Sequence, residues 1–271
     1  MSAFPAFPSS CAPCDIVPRL RAAGCVFAED EAELIISTAR TSADVEDMVE
    51  RRVAGLPLEH VLGWAELCDL RFAVDPGVFV PRRRTEFLVG QAAALAPPRA
   101  VVLDLCCGSG AVGAAVGRAP SVASVELHAT DIDPAAVRCA RRNVGTVGGH
   151  VYEGDLDAPL PATLRGRVDI LVAIVPYVPS GEVGLLPREA RIHESRVALD
   201  GGGDGLDILR RVAEAAPRWL TPGGHLLVET SERQAPSAAD IVAAHGLSPR
   251  VARSEEMEAT VVIGRRDGRL G

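Results

Sequence analysis

The sequence predicts an α/β protein in which a small helical domain precedes a doubly wound one. Three observations carry that expectation. From about residue 85 onward, short apolar runs alternate with amphipathic stretches, the pattern of strands joined by crossover helices. One run, Val101–Leu105, leads straight into the Gly-containing turn Cys106-Cys107-Gly108-Ser109-Gly110, which opens a helical stretch. The first 60 or so residues divide instead into three amphipathic segments.

Taken in order, Asp15–Ala23, Ala28–Arg40 and Ser42–Ala54 are expected to be helices, the last capped by Ser42 and followed by acidic residues in its first turn. Residues 1–60 then form the helical domain, 61–84 a hairpin linker and 85–271 the larger domain. The linker reading rests on alternating apolar and polar residues over Gly63–Val80 around the turn-forming Asp75-Pro76-Gly77. In the larger domain Ala100–Leu105 reads as a strand, Ala111–Arg118 as a helix and Ser124–Thr130 as a strand. Pro134–Val144 is a helix with proline at its first position. Val151–Glu153, Asp169–Ala173 and His225–Glu229 are further strands. Leu206–Leu220 is a long helix ahead of Thr221-Pro222-Gly223-Gly224, and Ala259–Ile263 a late antiparallel strand.

A chain of 271 residues can bury one large core and a small one. The formal charge of -8 argues against sequence-independent nucleic-acid binding, which depends on neutralising phosphates. All 28 basic residues are arginine, a sign of coding bias more than of function. No basic segment followed by an apolar one opens the chain, and no apolar run reaches the ~18 residues of a membrane span, so a cytoplasmic protein is expected. Seven scattered cysteines, with Cys106, Cys107 and Cys139 inside core elements, suit a reducing compartment. Cys11-Ala12-Pro13-Cys14 has metal-ligand spacing, but no second pair or His cluster completes a site, and no metal is expected.

The turn after Val101–Leu105 has a ligand-binding character. Gly108 and Gly110 permit backbone angles and close approach that a side chain would block, and the helix start that follows offers unpaired N–H groups. About twenty residues on, Ala129-Thr130-Asp131-Ile132-Asp133 ends the second strand with a carboxylate suited to ribose hydroxyls. Glu153-Gly154-Asp155-Leu156 ends the third, where a carboxylate can accept from an adenine amino group and Leu156 can pack on the ring. The turn does not match G-x-G-x-x-G, which disfavours a nicotinamide cofactor. The expected ligand is S-adenosylmethionine, leaving as S-adenosylhomocysteine, on Asp104, Cys106, Gly108, Gly110, Asp131, Ile132, Asp155 and Leu156.

These motifs resemble those of the HemK-like protein-(glutamine) N-methyltransferases, over roughly residues 55–265. Phe79-Val80-Pro81-Arg82-Arg83-Arg84-Thr85-Glu86 is similar to the family's Ile-Pro-Arg-Pro-Asp/Glu-Thr-Glu, and Pro176-Tyr177 to the end of its Asn-Pro-Pro-Tyr. Glu189–Glu194, Ala198–Gly202 and Asp204–Asp207 are similar to the family segment C-terminal to that motif. The resemblance implies a seven-stranded Rossmann-like class I methyltransferase domain and a helical domain that helps bind a partner protein, with the Gly-Gly-Gln glutamine of a translation release factor as acceptor. Four positions depart from the family: Arg83-Arg84 replaces Pro and an acidic residue, Cys106 a usual Gly, and Ile174 the Asn.

The Ile174 departure bears on the chemistry expected at Ile174, Val175, Pro176 and Tyr177. An amide nitrogen is a poor nucleophile, so a site must hold it in line with the methyl and accept its N–H protons. Ile supplies no acceptor, and a buried N–H without a partner costs about 1–3 kcal/mol, or roughly 5- to 150-fold in rate. Three readings are open. The first, favoured by the missing Asn, is a small-molecule acceptor such as free arginine, its guanidinium or amino nitrogen oriented by Glu86, Glu194 or Glu229, with Arg82 meeting a carboxylate. The second is a release-factor glutamine, with Tyr177, the Val175 carbonyl or a water replacing Asn. The third is a cofactor-binding protein with little catalysis. For Glu86 and Glu194 a structural salt bridge weighs as much as a substrate contact. In either enzyme reading transfer is direct and in line, with no metal and no covalent intermediate.

Overall fold

The computed structural model describes residues 13–268. Cys11 and the side chain of Cys14, the pair with metal-ligand spacing, lie outside them. The chain divides into two compact units, Met1–Trp64 and Ala65–Gly271.

The first unit holds α1 (Pro13–Ala22), α2 (Ala28–Thr38), α3 (Ser42–Val53) and α4 (Leu58–Leu62). Each long helix turns one apolar stripe inward, so that Ile16, Leu20, Ile35, Val45 and Val49 form one buried cluster. Arg52 of α3 pairs with the buried Glu31 of α2, Nε to Oε2 at 2.6 Å and Nη2 to Oε1 at 3.1 Å. The cap of α3 is Thr41 and not Ser42. The Thr41 hydroxyl accepts from the Asp44 N–H at 3.1 Å while the Asp44 carboxylate accepts from the Thr41 N–H at 2.9 Å, a reciprocal box that only this register closes.

A hairpin of β1 (Trp64–Leu67) and β2 (Leu70–Ala73) follows, and from Ala65 onward it belongs to the second unit. Its turn is Cys68-Asp69, at φ +54° and +59°, rather than Asp75-Pro76-Gly77. A two-residue turn with both residues left-handed matches strand twist, and it leaves Asp75–Val78 as a separate turn closed by the Val78 N–H on the Asp75 carbonyl at 3.1 Å. The segment read as a linker is packed into this unit: Phe72 is buried in its core, and the Asn143 side chain bonds both backbone groups of Ala73 at 2.8 and 2.9 Å.

Next come α5 (Glu86–Leu95), β3 (Arg99–Leu105), α6 (Ala111–Gly117), β4 (Ser124–Asp131), α7 (Pro134–Gly145), β5 (His150–Glu153) and β6 (Val168–Ala173). The chain continues through α8 (Arg188–His193), α9 (Asp207–Trp219), β7 (Leu220–Thr230), α10 (Ala235–Ala244), β8 (Ser248–Ser254) and β9 (Ala259–Arg265). The seven strands β3–β9 form one sheet in the order β5-β4-β3-β6-β7-β9-β8. All neighbours are parallel except β9, which runs antiparallel to both β7 and β8. Apolar clusters cover both faces: Leu88, Val102, Val116, Ile170 and Leu227 on one, Leu103, Leu171, Val212, Trp219 and Leu226 on the other. Among the described residues no helix is long and apolar enough to cross a membrane.

Strand register brings the motif-bearing turns together. Leu105 lies opposite Thr130 on one side and Ala173 on the other, while Asp131 lies opposite Glu153 and Ala173 opposite Val228. The turns after β3, β4, β5 and β6 therefore emerge along one edge of the sheet, at the point where the strand order reverses, which is where open α/β sheets bind ligands.

Candidate active site

The strand-helix turn after β3 is tight. Cys106 sits at φ +55°, a left-handed conformation that costs a side-chain-bearing residue about 1 kcal/mol or more. That geometry explains why glycine is usual there. The Cys107 N–H donates to the Thr130 carbonyl at 2.9 Å, and the Gly110 N–H closes the turn on the Cys107 carbonyl at 2.7 Å. At Gly110 the missing side chain serves packing: a Cβ there would lie 2.7 Å from Val144 Cγ2 of α7. Over Gly108 a Cβ would meet nothing within 4 Å, so the space beside this backbone is open to a ligand.

Asp131 is the hydrogen-bonding centre of this edge. Its Oδ2 accepts from the Gly108 N–H at 2.8 Å and its Oδ1 from the Asp133 N–H at 2.9 Å, while each oxygen keeps a second lone pair. Burial pushes this carboxyl up, against the lowering effect of those two N–H groups. Beside it Ile132 presents an apolar side chain that is 51% exposed. At the next strand end Leu156 is buried at φ +47°, and Asp155 is paired through Oδ2 with Arg211 of α9 at 2.7 Å. Asp155 Oδ1 takes no partner among the described residues. A fixed carboxylate, an exposed apolar side chain and open space over a glycine together suit the ribose and adenine of S-adenosylmethionine.

Asp104 stands behind this edge and not on it. It is fully buried, its Oδ2 accepts from the Gly113 N–H at 2.9 Å, and its Oδ1 has no partner. Burial pushes its carboxyl up to about 7, with the Gly113 N–H opposing and the Asp131 charge adding to the rise. An unfolded Asp titrates near 3.9, so between about pH 4 and 7 the folded state holds the extra proton, and stability is lost as pH rises through about 7. The cofactor-free protein is expected to lose melting temperature from about pH 4 to about pH 7 relative to Asp104→Asn, and little more above that. A difference between the two melting curves that does not change with pH would rule out a raised Asp104.

The segment expected to face the acceptor, Ile174–Tyr177, follows the end of β6 beside β7. Ile174 follows Ala173, so the register sets it between Cys106, after Leu105, and Glu229, after Val228. Its side chain packs on the same apolar cluster as Leu88 and Val89 of α5. Val175 and Pro176 are buried, and no described donor occupies the Val175 carbonyl. The loop is clamped from behind: a Cβ at Gly201 would lie 2.5 Å from the Pro176 carbonyl oxygen, and the Gln234 side-chain amide donates to the Tyr177 carbonyl at 2.9 Å. Sequence reasoning assigned no role to Gly201 or Gln234; the cluster of glycines Gly201-Gly202-Gly203 was the available signal.

Two of the three carboxylates expected to orient a guanidinium, Glu194 and Glu229, are in ion pairs, and Glu86 is not. Glu194, with a side chain only 1% exposed, uses Oε1 both to pair with Arg82 at 2.5 Å and to accept from the Val80 N–H at 3.4 Å, while its Oε2 is buried with no hydrogen-bond partner among the described residues. Glu229, 4% exposed, takes Arg84 Nε at 3.0 Å on one oxygen and the Thr85 hydroxyl at 2.7 Å on the other. Glu86 accepts from the Cys68 N–H at 3.1 Å. Arg84 also donates from Nη2 to the Tyr177 hydroxyl. Burial pushes the Tyr177 phenol up, as does the Glu229 charge. Arg84, read from the sequence as part of an arginine run that could meet a substrate carboxylate, instead joins the lead-in segment to the strand-end motif.

This fold and site define a class I S-adenosylmethionine-dependent N-methyltransferase. The methyltransferase small domain family matches residues 69–204. A release factor glutamine methyltransferase from Geobacter sulfurreducens is 37% identical over 226 residues, covering 83% of this chain and 77% of that protein. One of the same description from Streptomyces coelicolor is 38% identical over 192 residues, covering 69% and 67%. Among solved structures, a methyltransferase from Pyrococcus furiosus shares the fold, with a TM-score of 0.56 at 15% identity over 83% of this chain and 100% of that one. The chain belongs to the HemK-like family of release factor glutamine methyltransferases.

Proposed function

We propose that the chain methylates the side-chain amide nitrogen of a glutamine in a protein, of the kind that translation release factors present. The observation that carries this reading is the charge of the acceptor edge. Glu194 and Glu229 are already in ion pairs, and the charged group at the Tyr177 hydroxyl is the cation Arg84. A guanidinium or ammonium acceptor would meet the like charge of Arg84, and the Glu194 and Glu229 carboxylates beside it are each already paired with an arginine, which leaves Glu86 as the one candidate carboxylate outside an ion pair. A neutral amide meets neither penalty. The small-molecule reading drawn from Ile174 alone is set aside on this ground, and the curated relatives' description as release factor glutamine methyltransferases favours the amide independently.

S-adenosylmethionine, when bound, supplies an electrophilic methyl on a sulfonium, a group that leaves with its bonding pair as a neutral thioether. Asp131, Ile132 and Gly108 hold the adenosine half, with Asp155 and Leu156 at the next strand end. The Val175 carbonyl accepts one N–H of the acceptor amide, and the Tyr177 ring forms a wall beside it. Pro176, fixed against Gly201, keeps that carbonyl in place. Ile174 leaves the other N–H without a side-chain acceptor. The proton lost from nitrogen passes to water. The helical unit, residues up to Trp64, is assigned to binding the partner protein, and the site of action to the cytoplasm, where release factors work.

A methyl-transfer screen tests the reading: a release factor bearing Gly-Gly-Gln competes against free arginine and simple guanidines, with products read by mass spectrometry. Transfer to the release factor alone is expected. Transfer to a guanidine would overturn the proposal, and cofactor binding without transfer to any acceptor would leave a binding protein.

A further inference from the structure

The polar group that Ile174 lacks has a counterpart across the strand edge. Ile174 and Glu229 each follow a residue of the last β6–β7 pair, Ala173 and Val228, and alternation along β7 puts Glu229 on the face of Leu227, the face on which Ile174 packs. That face carries Ile174, α5 and, at the turn before α5, Arg84. Arg84 is fixed twice: Nε on Glu229 at 3.0 Å, and Nη2 on the Tyr177 hydroxyl. Because Thr85 holds the second Glu229 oxygen, the carboxylate cannot swing away. Nη1 has no partner among the described residues, and the side chain is 44% exposed. An arginine held by two of its nitrogens presents the third as an oriented donor.

Burial works against the Arg84 charge, but Tyr177 and Glu229 outweigh it and hold the guanidinium above its ordinary value. In the family pattern this position is acidic and the position of Ile174 is Asn. Both departures thus fall on one face of one site: an amide is lost from β6, and a cationic donor appears opposite.

We propose that Arg84 is a substrate-binding residue of the acceptor pocket, its Nη1 donating to the carbonyl oxygen of the acceptor glutamine amide. That bond fixes the amide plane, so the nitrogen is turned toward the Val175 carbonyl and the methyl. Positioning by oxygen replaces positioning by the missing Asn. It also makes the pocket discriminate by charge: a cationic Nη1 prefers the carboxylate of glutamate, an isostere that cannot be N-methylated, over the amide of glutamine.

This inference rests on the amide reading above, and its test separates the two. Wild type, Arg84→Gln and Arg84→Lys are assayed on a release factor with its Gly-Gly-Gln, and inhibited by the same release factor carrying Glu in place of that Gln. S-adenosylmethionine affinity is measured by calorimetry for each. Arg84→Gln is expected to lower kcat/KM for the glutamine acceptor roughly 10- to 100-fold, the size of a lost charge-assisted hydrogen bond. It should weaken inhibition by the Glu form by a larger factor, with cofactor affinity unchanged. Arg84→Lys keeps a charge beside Glu229, so it should fold as wild type and keep part of the preference for Glu. A merely structural role would weaken both acceptors equally, and that result overturns the proposal, as would full activity in Arg84→Gln. If wild type transfers no methyl to the release factor, the amide reading itself falls and takes this assignment with it.

Discussion

Replacing Asp131 with alanine is expected to weaken S-adenosylmethionine binding by roughly 10- to 150-fold, the loss of hydrogen bonds to a charged acceptor. The reason is local and double. The carboxylate is the acceptor proposed for the ribose hydroxyls, and it also ties down the Gly108 N–H at 2.8 Å and the Asp133 N–H at 2.9 Å. Alanine removes the acceptor and releases the turn after β3. Titration calorimetry on the folded variant reads the effect, and an affinity equal to wild type would show that the ribose lies elsewhere. The exposed Ile132 next to it gives a smaller effect, since only apolar contact is lost.

The second large effect runs in the opposite direction. Ile174→Asn is expected to raise the single-turnover rate on release-factor glutamine by roughly 5- to 150-fold, because a buried N–H regains a partner. The gain has a stability cost. Ile174 is half-buried against the cluster that includes Leu88 and Val172, and a polar side chain there loses about 1–3 kcal/mol. Faster transfer with a lower melting temperature is the expected pair of results. If wild type is already as fast as the variant, the missing acceptor is of no consequence, and Arg84 or the backbone does the whole of its work.

The sequence made the parallel strands β3, β4 and β6 legible through short stretches rich in Val, Leu, Ile and Ala that run into a marked turn, the Gly-containing turn after β3, Asp131 after β4 and Pro176-Tyr177 after β6. β3, β4 and β6 were found to within a residue or two at each end. β8 was missed: Ser248-Pro-Arg-Val-Ala-Arg-Ser254 is polar and partly exposed, an edge strand that owes its conformation to pairing with β9 and not to its own pattern. α5 and α10 were passed over because both are apolar nearly all round, without an amphipathic stripe to mark them.

The cofactor side was readable for a similar reason, since Gly108 and Asp131 are bound by the short-range grammar of strand, turn and strand. The acceptor side was not. Arg84 and Glu229 lie 145 residues apart, and Arg82 and Glu194 lie 112 apart. No local pattern shows that carboxylates so placed are already neutralised. Reading Ile174 alone pointed to a guanidine; the ion pairs around it point to an amide.

The central claim is that this altered strand end still methylates a neutral amide. The direct measurement is residue-level mapping: wild-type protein and S-adenosylmethionine are incubated with a release factor, which is then digested and sequenced by tandem mass spectrometry. One added methyl on the side-chain nitrogen of the Gly-Gly-Gln glutamine is the predicted result. An unmodified glutamine alongside a methylated guanidine or amine in the same mixture would contradict the account.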